Sequence, residues 1–272
     1  MIAPHTLLGA ALIGVAVGFL GGLLGKGGSA IATPLLHAIG VPAIIAVAAP
    51  LPATIPSTLA ASWVYWKEHY LDSHVVRTCV VWGVPSTIVG AIATNWISGG
   101  LLVRLTDAVL VALGVRLLAH RSPAPDIVAP ADDDRTGSGG GIAVASNVTA
   151  AVLAPSATTL AIVAILVGFS AGLLANSGGF LMAPLLITVV KLPIRSALAS
   201  SLAVSAVLAV PGTIVHAALG HIDWALVAVF AATSVPLSIT GARVALRIDA
   251  NRLERIYGAV LLVLGGVFLV TG

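Results

Sequence analysis

Apolar runs of about twenty residues, parted by short polar stretches, dominate this chain. Those near 6–24, 43–66, 76–97, 101–119, 157–175, 196–217, 224–244 and 253–271 are long enough to cross a bilayer as helices. Two further apolar segments, 29–39 and 179–190, hold about 12 residues, or ~18 Å of helix, too short to cross unaided. The pattern predicts an all-α integral membrane protein of about eight full spans and two short half-helices.

The two short segments stand at equivalent places in a duplication. Gly18 to Leu36 reads GFLGGLLGKGGSAIATPLL and Gly168 to Leu186 reads GFSAGLLANSGGFLMAPLL, with nine of nineteen positions identical. At an offset of 151 the match continues: Asp72 meets Asp223, Val84-Pro85 meets Val235-Pro236, Gly90 meets Gly241, Arg104 meets Arg255 and Gly114 meets Gly265. In both copies a glycine-rich break separates an apolar helix from a short apolar segment opened by a proline, Pro34 or Pro184, the mark of a discontinuous membrane helix. Two transmembrane repeats, 1–119 and 157–272, are therefore expected. Residues 120–156, with Pro123, Pro125, Pro130, Asp132 to Asp134 and Gly137 to Gly141, read as a polar cytoplasmic linker.

Composition changes the picture only by fixing the compartment. A chain that is 58% hydrophobic and 8% charged in residues cannot cover a soluble globule with a hydrated surface. Charge then orients the spans. If each short segment counts as a crossing, each half makes five passes, and eleven of the thirteen Lys and Arg residues collect on one side, with only Arg104 opposite and Lys26 in the break. That distribution predicts two inverted repeats with both termini outside. The absence of Lys or Arg before Gly9 argues against a cleaved signal peptide. Cys79, the single cysteine, excludes a disulfide framework or thiolate cluster, and no metal or cofactor is expected. Basic loops facing anionic lipid explain the positive charge without a nucleic-acid partner.

Three motifs compete with transport. Gly25-Lys26-Gly27 lacks the spacing and preceding strand of a phosphate loop. Gly168 to Gly172 matches G-x-S-x-G, which would make an intramembrane serine hydrolase of Ser170 with His216 or His221. Its place inside an apolar helix argues for a packing serine. His37, His216 and His221 read as structural, hydrogen-bonded histidines. Asp72 and Asp223 each begin a span, where aspartate caps a helix.

Gly14, Gly18, Gly22, Gly168 and Gly172 recur at helical spacing and read as packing positions. Gly25, Gly27, Gly28, Gly178 and Gly179 instead destroy a helix. The N–H groups exposed where each short helix begins carry the positive end of its dipole, which favours an anion. Lys26, whose placement near the bilayer centre costs at least ~2.5 kcal/mol, is a candidate counter-charge. Asn176, its equivalent, with Ser29, Ser177, Thr54, Ser57, Ser200 and Ser201, supplies neutral hydrogen-bonding groups.

The doubled motif, GLLGKGGSAIATP with GLLANSGGFLMAP, resembles the sulfite exporter TauE/SafE family of permeases over both halves. Two positions depart from the family's pattern: Lys26 stands where a small or hydrophobic residue is common, and Ala49-Pro50 replaces a hydroxyl pair kept as Ser200-Ser201. The resemblance implies a secondary transporter, not an enzyme, moving sulfite, a sulfonate or sulfoacetate across the cytoplasmic membrane. The substrate would sit at mid-membrane where the two breaks meet, and one repeat would rock against the other. A channel-like anion pore is the alternative carrier of the same chemistry. Coupling to a proton or to sodium and assembly as a homo-oligomer both stay open.

Overall fold

The computed structural model describes residues 4–25, 29–93, 111–112, 115, 156–173 and 176–271. Helices account for the regular structure among them: α1 (Pro4–Leu24), α2 (Ser29–Ala38), α3 (Ala43–Ala48), α4 (Pro50–Lys67), α5 (Ser73–Ala93), α6 (Ala157–Leu173), α7 (Gly179–Thr188), α8 (Ile194–Ala218), α9 (Trp224–Arg247) and α10 (Ala250–Thr271). The expected span 101–119 and the linker 120–156 fall almost wholly outside the described residues.

Among the described residues five segments are long and apolar enough to cross a membrane, namely His5–Leu24, Ile44–Lys67, Ser73–Ala93, Ile194–Ala218 and Trp224–Arg247. Helix α6 holds seventeen residues, Ala157–Leu173, inside the expected 157–175. The expected continuous helix over 43–66 divides into α3 and α4 at Ala49-Pro50, because Pro50 has no N–H to carry the ladder across. Its counterpart α8, with Ser200-Ser201 at that place, is unbroken. The prolines of the short helices do not open them: α2 and α7 begin at Ser29 and Gly179, five residues earlier. The Asp72 Oδ1 accepts from the backbone N–H groups of His74 and Val75 at 2.9 and 3.1 Å, and Asp223 Oδ1 from those of Ala225 and Leu226, so both carboxylates cap.

Outward faces stay apolar: Leu12, Trp63, Val81, Ile88, Val89, Ile162, Leu166 and Ile214 are exposed, as lipid contact requires. Inside the bundle, where lipid is as apolar as protein, close approach of backbones replaces the hydrophobic effect. A Cβ on Gly18 would overlap the backbone of Ser234, and one on Gly22 that of Ser238, so α1 and α9 lie side by side and run the same way. A Cβ on Gly168 would overlap the backbone of Gly83, and one on Gly172 that of Thr87, which packs α6 along α5 likewise. These pairs are the duplicates of one another: each helix of one half finds in the other half the partner that its twin finds in return.

The central helices α4 and α8 meet each other. Ser62 Oγ donates to the Ala199 carbonyl at 3.3 Å, while a Cβ on Gly212 would touch the Leu51 side chain. Lower numbers on α4 thus pair with higher ones on α8, and the two equivalent helices run in opposite directions. At one end of the bundle Arg195 ties three connections together, donating from Nη1 to Tyr70 Oη and from Nη2 to the Ile248 carbonyl, each at 3.0 Å. The opposite end closes on a buried apolar cluster in which Ala10, Leu36 and Val41 meet Ile222 and Leu226. Lys67 and Trp63, in cation–π contact at 3.7 Å, belong to the Arg195 end.

Candidate functional site

Each break holds a glycine in the left-handed conformation that side chains rarely adopt. Gly25 closes α1 with φ at +63°, and Gly178 precedes α7 with φ at +72°. Backbone leaving a helix at such a point needs new partners inside the protein. Ser201 on α8 supplies them for both halves at once: its hydroxyl donates to the Gly25 carbonyl at 2.9 Å and lies 3.3 Å from the Gly179 carbonyl.

Around that tie the two halves exchange side-chain bonds. Ser29 Oγ donates to Asn176 Oδ1 and lies 3.2 Å from Ser177 Oγ. The Ser177 backbone N–H donates to Asn176 Oδ1 at 2.7 Å and faces Ser29 Oγ at 3.3 Å. All three residues are buried, as is Ser201. Ser29 is the first residue of α2, and Ser177 stands two before α7, so the positive ends of two ten-residue helices converge on one polar knot. Ser200 Oγ and Ser205 Oγ, on the same helix as Ser201, are buried without a hydrogen-bond partner among the described residues. The chemistry on offer is neutral hydroxyls, an amide and backbone N–H groups, a donor set for oxyanions.

The expected site residues thus divide. Gly25, Ser29, Asn176, Ser177, Gly178, Gly179 and Ser201 come together, and Ser200 precedes Ser201 on α8, buried. Lys26, Gly27 and Gly28 lie outside the described residues. Thr54 and Ser57 belong elsewhere: each hydroxyl donates to a carbonyl of its own helix, Pro50 and Ala53, and both line a narrow cleft between α1, α4 and α9. That cleft brings in Ser234 and Ser238, which sequence reasoning passed over. Their four-residue spacing on α9 matches that of Gly18 and Gly22 on α1, and this register was the available signal.

The hydrolase alternative falls on geometry. Ser170 Oγ donates to the Leu166 carbonyl at 2.9 Å, one turn back within α6, and His216 pairs with His221, Nδ1 to Nδ1, at 3.3 Å. His37 Nδ1 faces the Val41 carbonyl at 3.1 Å at the end of α2, a structural role as expected.

Comparison with known proteins agrees with the helical architecture. The chain is 30% identical over 253 residues to a probable membrane transporter protein of Xylella fastidiosa (strain 9a5c), covering 90% of this chain and 88% of that one. It is 24% identical over 267 residues to the probable membrane transporter protein YjnA of Bacillus subtilis (strain 168), covering 93% and 96%. No solved structure matches significantly. The family described as sulfite exporter TauE/SafE matches residues 10–268, nearly the whole chain. This protein is a multi-pass membrane transporter, not an enzyme, and belongs to the sulfite exporter TauE/SafE family.

Proposed function

We propose that the chain carries a small sulfur oxyanion or sulfonate, such as sulfite or sulfoacetate, across the cytoplasmic membrane by alternating access. The observation that carries the reading is the knot of Ser29 with Asn176 and Ser177. It is buried, it is made by both repeats, and it lies where two helix N-termini converge. An anion there would take up the Ser29 hydroxyl and the Ser177 backbone N–H, donors that Asn176 Oδ1 now satisfies, and so bind both repeats at once. Rocking of one repeat against the other would change which side reaches that point.

Inverted repeats are supported by three observations. Equivalent helices α4 and α8 run oppositely. Arg195 joins the connections after α4, α7 and α9 at one end, which a five-pass half requires and a four-pass half forbids. Finally, α1 runs with α9, α9 returns from α8 through residues 219–223, and α8 opposes α4. Hence α1 and α4 head the same way, and the short α2 brings the chain back between them.

Topology is open to direct labelling in a Cys79→Ser background. His221→Cys should react with an impermeant thiol reagent outside intact cells, and Ile248→Cys should react only after permeabilisation. The reverse pattern would sink the orientation.

For the substrate, thermal melting of purified protein should be followed in sulfite, sulfoacetate and acetate at matched ionic strength. A ligand at about 100 times its Kd adds about 2.7 kcal/mol of stability. A sulfur anion should raise Tm in the native protein, and the pair Ser29→Ala with Asn176→Ala should lose that rise. A rise of equal size in the double variant would move the anion site elsewhere.

A further inference from the structure

The cleft between α1, α4 and α9 differs in kind from the knot beside it. Its polar lining consists of Thr54, Ser57, Thr58, Ser234 and Ser238, and no charged side chain lines it among the described residues. Four of these hydroxyls have their protons committed to carbonyls. Thr54 donates to Pro50, Ser57 to Ala53, Thr58 to Thr54 at 2.8 Å, and Ser238 to Ser57 and Val235 at 2.8 and 2.7 Å. A hydroxyl that has given its proton away is left with lone pairs. The cleft is therefore rich in acceptors, whereas the knot at the breaks is rich in donors.

Ser234 adds a second observation. It is 1% exposed, it lines the cleft, and its Oγ has no hydrogen-bond partner among the described residues. A buried hydroxyl left so costs about 1–3 kcal/mol unless something completes it. At three of these five places the fold does not call for a hydroxyl. In the other half the places of Ser57, Thr58 and Ser234 are held by Leu208, Ala209 and Gly83, while those of Thr54 and Ser238 keep hydroxyls as Ser205 and Thr87. Three polar groups are thus gathered on one side of a pseudo-symmetric molecule, where packing is satisfied without them on the other.

We infer that this cleft is a binding site for a desolvated alkali cation, sodium, held by neutral oxygens. The space left between the side chains suits about one water-sized particle, which excludes an organic solute or a sulfonate. Hard monovalent cations take oxygen ligands and need no carboxylate when several hydroxyl lone pairs converge. An anion is rejected, because the lining offers lone pairs to it and few donors. The position also explains how such an ion would act on the carrier. Gly22 in the cleft is three residues before Gly25, and Leu202 there follows Ser201, which holds Gly25 and Gly179. A cation drawing α1, α4 and α9 together would brace the first break.

The test needs no substrate, so its outcome is independent of the anion reading. Purified protein is melted in sodium chloride and in choline chloride at equal ionic strength. With sodium roughly thirty-fold above its dissociation constant, Tm should be higher by about 4–8 °C than in choline. Ser234→Ala and Thr58→Val should each lose most of that sodium shift. In choline, Ser234→Ala should melt no lower than the native protein, since it removes an unpartnered hydroxyl, and this separates a lost ligand from a lost fold. Ser234→Thr, which keeps the oxygen, should retain part of the shift. Equal Tm in sodium and choline for the native protein, or an undiminished sodium shift in both Ser234→Ala and Thr58→Val, overturns the site.

Discussion

Gly25→Ala is expected to destabilise the protein by about 2–5 kcal/mol and to abolish transport with it. Two terms add. The residue holds φ at +63°, where a side chain costs roughly 1–2 kcal/mol. A Cβ there would also stand 2.8 Å from the Leu198 Cα and 2.7 Å from its Cδ2. Leu198 is fully buried on α8, one turn before Ser201, and its backbone cannot retreat without pulling that serine from the Gly25 carbonyl. Overpacking of this kind costs about 1–3 kcal/mol. Gly220→Ala is the control: φ is +70°, yet nothing lies within 4 Å of the added methyl, so only the conformational part should appear. Melting of both variants in detergent decides the matter. Equal losses in the two would mean that Gly25 is required for its dihedral angle alone and that α8 does not press on the break.

Much of the architecture was written in the duplication, since residues at an offset of 150 or 151 turned out to occupy duplicate places. Gly241 meets the Phe19 carbonyl as Gly90 meets that of Phe169. The caps at Asp72 and Asp223 and the packing glycines of α1 and α6 were legible for the same reason: each is a local rule repeated twice. What a linear reading missed lies between helices distant in sequence. Ser201 reaching Gly25 across the two halves, or Tyr65 Oη donating to the Gly22 carbonyl at 3.3 Å, depends on which faces meet, and hydropathy is silent on that in a helix apolar all round. Thr54 and Ser57 line the cleft between α1, α4 and α9 instead of joining the Ser29–Asn176 knot, and each spends its proton on its own helix.

Asymmetry between the repeats carries the functional argument further than their symmetry does. Pro50 interrupts the first half where Ser201 ties the second, so a single hydroxyl from α8 serves both breaks. Removing it should loosen both. Ser201→Ala leaves the buried Gly25 carbonyl short of a donor, at about 1–3 kcal/mol when no water replaces it, and takes the hydroxyl away from the Gly179 carbonyl as well.

The largest effect on affinity is expected at Lys26, which we propose as the substrate's counter-charge. In sequence it stands between Gly25, whose carbonyl Ser201 holds, and Ser29, which bonds to Asn176. Lys26→Ala should weaken binding of a sulfur anion about ten- to a hundred-fold, the value of one charge-assisted hydrogen bond at roughly 1.5–3 kcal/mol. Asn176→Ala, losing a neutral bond of about 0.5–1.5 kcal/mol, should cost less affinity. Lys26→Arg should restore charge without full activity, because a planar guanidinium cannot reproduce the reach of a compact ammonium. Titration of each purified variant with labelled sulfite or a sulfonate gives the ranking. If Lys26→Ala binds the anion as the native protein does while Gly25→Ala fails to fold, the break is a structural joint and its lysine plays no part in recognition.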